Sequence, residues 1–282
     1  MRPLFLLSLF APAFALASAE GVNPKATDLF EIGGIPVSNS ILTTWILAVL
    51  IIIAVRVLVG TPKIIPNKGQ ALVENVASGL RDALEPIVGK KMIGKTFPVL
   101  CGFFVFILLM NWSGLLPGVG TIKYQSADGH WLDAIRPANS DLNTTLALSI
   151  LSFLAWTYFV LRYAGVKALV FDLFGNKADK KELSLLMWLM LGFIFLGVGV
   201  IEVLSIASRL ISLPFRLYGN VFGGENLIHT LGGIAPYVVP AIAGMLEVLV
   251  GLIQAFVFTL LSAVYIGLIC NHDAGHDDEH AH

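Results

Sequence analysis

Apolar residues gather in runs of spanning length at about 41–59, 97–116 and 142–161, then in one much longer territory from Leu183 to Cys270. About 20 apolar residues in a helix cross the ~30 Å hydrocarbon core of a bilayer, so each of the three runs predicts one membrane helix. Residues 69–89 differ: apolar and polar positions alternate at helical spacing between two spans, which predicts a helix lying at the cytoplasmic interface. The long territory is interrupted by Gly232, Gly233, Pro236 and Pro240, predicting two antiparallel helices of roughly 185–231 and 238–270. At 1.5 Å per residue these measure about 70 Å and 50 Å, too long for upright spans. Either the first breaks near Pro214 or Gly223-Gly224, or both lie strongly inclined. The residues around Pro214 stay apolar and no basic loop marks an extra crossing, which favours the inclined hairpin. The fold class expected is therefore an all-α membrane protein with five hydrophobic membrane segments, the last two a long, strongly inclined helical hairpin.

The charges orient these elements. Lys63, Lys68, Arg81, Lys90, Lys91 and Lys95 lie between the first two spans, and Arg162, Lys167, Lys177, Lys180 and Lys181 follow the third. Both segments are cytoplasmic by the positive-inside rule. The loop 117–141 carries Lys123 and Arg136 against Asp128, Asp133 and Asp141 and is external. The first nineteen residues read as a signal peptide, with Arg2, a short apolar run and the small-x-small site Ala17-Ser18-Ala19. They are followed by an external segment, 20–40, and a membrane domain, 41–270. The C-terminal 271–282, with four His and four acidic residues, reads as a disordered cytoplasmic tail rather than a metal site, because no ligand spacing is evident.

Composition agrees with the pattern. Of 282 residues, 56% are hydrophobic and 13% charged, against about a quarter charged in a soluble chain. Soluble enzymes and nucleic-acid binders are thereby set aside, and a net charge of −1 suggests no polyanionic partner. The two cysteines, Cys101 and Cys270, sit in apolar runs and read as small hydrophobes.

The chemistry is concentrated in the exceptions. Within Leu183–Cys270 the ionisable residues are Glu202, Arg209, Arg216, Glu225 and Glu247, plus His229. A charge near the bilayer centre costs several kcal/mol, so this set requires partners, water or a function. Glu202, Arg209 and Arg216 are seven apart and fall near one helix face, and Asn220 continues that stripe; Glu225, nine residues past Arg216, points about 180° away. Glu247 and Gln254 share a face of the second helix. With the hairpin turn near residue 236, Glu225 and Glu247 lie at equal depth toward the external side, and Arg216 falls close in depth to Gln254. Arginine is a permanent charge that does not itself relay a proton, whereas glutamates can carry one. The order resembles an entrance, a barrier and an exit for protons. The competing reading is a set of structural pairs, such as Arg209 with Glu202.

At these residues the chain resembles subunit a of the rotary F-type ATP synthase. The matching strings are SLPFRLYGNVFGGE over Ser212–Glu225, IQAFVF over Ile253–Phe258, NWSGLLPG over Asn111–Gly118 and DLNTTL over Asp141–Leu146. The resemblance implies a proton-translocating stator subunit that is not catalytic alone and needs no cofactor or metal. Arg216 would be the essential arginine facing the c-subunit ring and preventing proton leak between two offset half-channels. Asn220, Glu225, Glu247 and Gln254 match the outer path, and Glu202 and Arg209 the inner one. Tyr218 replaces the family's commoner Phe. The implied partners are the c-ring, the b-subunit peripheral stalk, the rest of the complex and membrane lipid. The implied location is the bacterial inner membrane, N-terminus outside and C-terminus in the cytoplasm. Two rivals stand beside it: a self-contained secondary transporter, which would favour internal repeats absent from this charge distribution, and a structural scaffold.

Overall fold

The computed structural model describes residues 26–116, 119, 123–125, 131–133, 135–166, 169–170, 185–232 and 238–270. The expected signal peptide, the hairpin turn at 233–237 and the His-rich tail lie outside the described residues.

The described chain opens with a feature that helical periodicity does not reveal. Strand β1 (Asp28–Ile32) pairs antiparallel with β2 (Ile35–Ser38) across Gly33-Gly34. Both glycines have positive φ, 60° and 84°, the condition a two-residue hairpin turn imposes. Ser38 then caps α1 (Asn39–Val59), its Oγ accepting from Ile41 N at 3.4 Å, and Gly60 ends it. α2 (Lys68–Val88) starts where Asn67 Oδ1 accepts from Gln70 N at 2.6 Å. Its Leu80, Leu84 and Val88 recur every four residues and are buried, the apolar stripe the sequence led us to expect. α3 (Lys90–Ser113) begins earlier than the apolar run at 97 and carries Pro98 within it. Two short strands, β3 (Lys123–Gln125) and β4 (Trp131–Asp133), pair within the segment expected to be external, and a 3₁₀ turn spans Ala138–Ser140. α4 (Leu142–Phe159) continues into a π-helical turn at Val160–Ala164.

α5 (Leu185–Gly232) is a single helix of 48 residues, and α6 (Val238–Cys270) one of 33. Neither Pro214 nor Gly223-Gly224 breaks α5. A proline has no N–H to give the carbonyl four residues earlier, which here is Leu210 O. Ser149 Oγ on α4 donates to that carbonyl at 3.0 Å, so the helix continues without an orphaned acceptor. Among the described residues, five helices are long and apolar enough to cross a membrane: Asn39–Val59, Lys90–Ser113, Leu142–Ala164, Met190–Ile228 and Pro240–Leu268. The chain is an all-α, multi-pass membrane protein, with two small sheets added among the described residues.

Packing divides the chain into two units, with boundaries inside helices α2 to α6. The first comprises Met1–Ala77, Gly102–Ala147 and Pro214–Phe258. Its core includes Leu47 of α1, Met110 of α3 and Ala138 of the 3₁₀ turn, with Phe106 against them. The second comprises Ser78–Cys101, Leu148–Leu213 and Thr259–His282. There Ser152 and Ser262 share a hydrogen bond of 2.8 Å between hydroxyls, and Trp156 Nε1 donates to Tyr265 O at 3.1 Å. Small polar side chains at helix contacts are the usual adhesive of membrane bundles.

Candidate functional site

In the first unit the C-terminal half of α5 and the N-terminal part of α6 run antiparallel, and their polar residues meet. Asn220 Nδ2 donates to Gln254 Oε1 at 3.0 Å. Four residues further along α5, Gly224 faces Glu247 of α6 so closely that a Cβ placed on Gly224 would lie 2.8 Å from Glu247 Oε1. The two contacts run in opposite order along α5 and α6, the antiparallel arrangement the sequence leads us to expect. Gln254 is buried, and its Nε2 has no hydrogen-bond partner among the described residues.

Two side chains of α3 hold α6 in place beside these groups. Trp112 Nε1 donates to Val248 O at 3.0 Å, and Asn111 Nδ2 donates to Gly251 O at 3.1 Å. Both carbonyls lie between Glu247 and Gln254 in sequence, so the clamp fixes the rotation and height of the segment that presents them. Asn139 Nδ2 of the 3₁₀ turn donates in turn to Asn111 Oδ1 at 2.8 Å.

Glu225 turns away from this line, as its helical phase requires. Its Oε2 lies 4.0 Å from a terminal nitrogen of Arg136, with the two side chains only 13% and 6% exposed. Arg136 Nε donates to Ser140 Oγ at 2.8 Å, and Ser140 Oγ donates to Pro137 O at 2.8 Å. The arginine is thus folded over its own turn and aimed at α5.

Arg216 departs from the expectation of a buried arginine beside Gln254. Its neighbour Leu217 is fully buried, but Arg216 itself is exposed, one turn before Asn220, and Asn220 is the residue that bonds Gln254. Phe215 on the same helix is 53% exposed, and Leu249 and Ile253 of α6 are likewise exposed. Arg216 is thus an exposed charge on a helix long and apolar enough to cross a membrane.

The second unit holds Glu202 and Arg209, and these form the pair that the structural reading anticipated. Arg209 Nη2 lies 3.4 Å from Glu202 Oε1 and donates to Ser205 Oγ at 2.6 Å, and its guanidinium carbon sits 3.9 Å from the centre of the Tyr265 ring. With side chains 27% and 49% exposed, the ion pair contributes little stability, and the ring contact orients the guanidinium as much as the carboxylate does.

Sequence reasoning missed Arg136, Ser140, Asn139, Ser205 and Tyr265. Arg136 counted only as one loop charge among five. The available signal was a basic residue directly before Pro137 and the polar string Asn139-Ser140-Asp141, which matched no solvated-loop need. Asn111 and Trp112 lay in a recognised string, but nothing in the string says which carbonyls they reach.

The sequence profile of the family described as ATP synthase A chain matches residues 41–267. Among individual relatives, "ATP synthase subunit a 2" of Bradyrhizobium sp. strain BTAi1 is 29% identical over 242 residues, covering 86% of this chain and 93% of that one. "ATP synthase subunit a" of Moorella thermoacetica is 29% identical over 243 residues, covering 86% and 95% respectively.

Proposed function

The chain belongs to the ATP synthase A chain family, and on that premise we propose that it is the proton-translocating stator subunit of the membrane sector. It does no catalysis alone. In this reading it offers two offset half-channels to a rotating c-ring, with the b-subunit stalk holding it stationary in a bacterial inner membrane, N-terminus outside. Asn220, Glu225, Glu247 and Gln254 form the outer half-channel. Glu202 and Arg209 contribute to the inner one.

The observation that carries this reading is the exposure of Arg216 on a helix long and apolar enough to cross a membrane. A guanidinium facing lipid near mid-membrane costs about 2.5–3.5 kcal/mol even on insertion scales. That cost is relieved if a partner covers the helix there and brings an anionic group to the arginine. A ring of helices, each bearing one carboxylate, meets both needs, because each arriving carboxylate exchanges its proton for the guanidinium as its counter-charge. Arginine has no proton to pass on at working pH, so the same contact separates the two half-channels. Each proton falling through 100 mV then releases about 2.3 kcal/mol for rotation.

The test is the Arg216→Ala variant in the assembled complex in liposomes. Assembly with loss of ATP synthesis driven by an imposed proton gradient is expected. Undiminished synthesis would leave only a scaffold role, and full proton transport by the purified chain without a ring would make it a self-contained transporter.

A further inference from the structure

Of the buried Arg136–Glu225 pair, only Glu225 is among the residues that the sequence pattern or the family resemblance singles out. We infer that Arg136 is the positioning residue of the outer half-channel: mounted on the Ala138–Ser140 turn, it holds the Glu225 carboxylate at its place on α5. The inference rests on the outer path proposed above and adds to it the group that sets its geometry.

Three observations converge. The first is the pair itself, 4.0 Å between Glu225 Oε2 and an Arg136 terminal nitrogen, with both side chains largely removed from solvent. The second is the mount. Arg136 Nε is tied to Ser140 Oγ, and Ser140 Oγ to Pro137 O, so the guanidinium leaves its own turn in a fixed direction. The third is the link onward: Asn139 of the same turn bonds Asn111, which bonds the Gly251 carbonyl of α6 between Glu247 and Gln254. One three-residue turn therefore braces both helices that carry the outer-path carboxylates. Arginine contributes here by charge and position, since it accepts no proton and cannot act as a relay. Glu225, clamped from this side, is kept from swinging out of the path as neighbouring groups change charge, and a displacement of about 1 Å is enough to slow a proton transfer by as much as roughly a hundredfold.

At 4.0 Å Glu225 Oε2 and the Arg136 terminal nitrogen lie beyond hydrogen-bonding distance, so they attract as two charges and a lysine point charge should serve in the arginine's place. The experiment measures proton conduction through the assembled membrane sector in liposomes for Arg136→Gln, Arg136→Lys, Glu225→Gln and the exchanged pair Arg136→Glu with Glu225→Arg. Arg136→Gln is expected to conduct at least roughly tenfold more slowly than the parent, and Arg136→Lys within about threefold of it. The exchanged pair should conduct faster than either of its single substitutions. If Arg136→Gln fails to assemble, Arg136→Lys and the exchanged pair decide the matter. Conduction by Arg136→Gln equal to the parent's, with Glu225→Gln impaired, overturns the positioning role alone. Lysine failing with the exchanged pair no better than the single variants also overturns it. Normal conduction by Glu225→Gln removes Glu225 from the outer path and takes this inference with it.

Discussion

Glu247 depends on a residue with no side chain. Gly224 leaves the space its carboxylate occupies, and an added methyl would sit 2.8 Å from Oε1 and 2.9 Å from Cδ. The carboxylate is the end of a flexible chain, so Gly224→Ala should fold and insert while displacing the one group it crowds. Proton conduction by the assembled complex is expected to fall by roughly tenfold. Shortening the crowded group, in Gly224→Ala combined with Glu247→Asp, should restore part of it. Unchanged conduction by Gly224→Ala would show that the Glu247 position observed here is not the working one. A related economy is visible at Gln254, whose Oε1 is taken by Asn220 while Nε2 stays buried without a hydrogen-bond partner among the described residues. An unmatched buried donor costs about 1–3 kcal/mol, a cost that native proteins keep mainly where the group serves a function.

Continuity of α5 is a problem of one carbonyl, and another element solves it. Pro214 leaves Leu210 O without its helical donor, and Ser149 of α4 supplies one at 3.0 Å. Ser149→Ala should therefore lower the stability of the complex by about 1 kcal/mol, read as an earlier midpoint in detergent-driven unfolding. Pro214→Ala restores the helical N–H, so in that background Ser149→Ala should be nearly neutral. Equal losses in both backgrounds would mean that the serine acts through something other than this carbonyl. The same case marks how far the sequence could be read. The length of α5 and the spacing of Glu202, Arg209 and Arg216 follow from helical geometry, a local rule, whereas the sequence put Arg216 near the depth of Gln254 and the structure bonds Asn220, one turn later, to it. That Pro214 would be tolerated depended on a serine 65 positions away, and the burial of Arg136 on a glutamate 89 positions away. No periodicity reports such pairings. The β1–β2 hairpin was missed for a different reason: its strands are short, and the Gly33-Gly34 turn signal stood in a segment read only for its side of the membrane.

Across the molecule, the two packed units divide the proposed chemistry cleanly. Arg216 and all four residues of the proposed outer path belong to the first, and Glu202 and Arg209 to the second. Arg216 differs from every other charge of the long helices in having an exposed side chain with no salt bridge among the described residues. That isolation is a cost to the chain alone and a benefit only in company, which separates stability from function in a measurable way. Arg216→Leu removes an exposed charge from a membrane-length helix, and in a bilayer should make the isolated chain more stable by up to about 3 kcal/mol, the insertion penalty of the guanidinium. The same substitution in the assembled complex should abolish ATP synthesis driven by a proton gradient. Unfolding of the purified chain in lipid and synthesis by the reconstituted complex measure the two effects separately. A loss of stability in the isolated chain would show that Arg216 is a structural residue satisfied within its own subunit, and the covering partner would no longer be required to explain it. A gain in stability with loss of coupling is the signature of a charge held in readiness for a group that the chain itself does not contain.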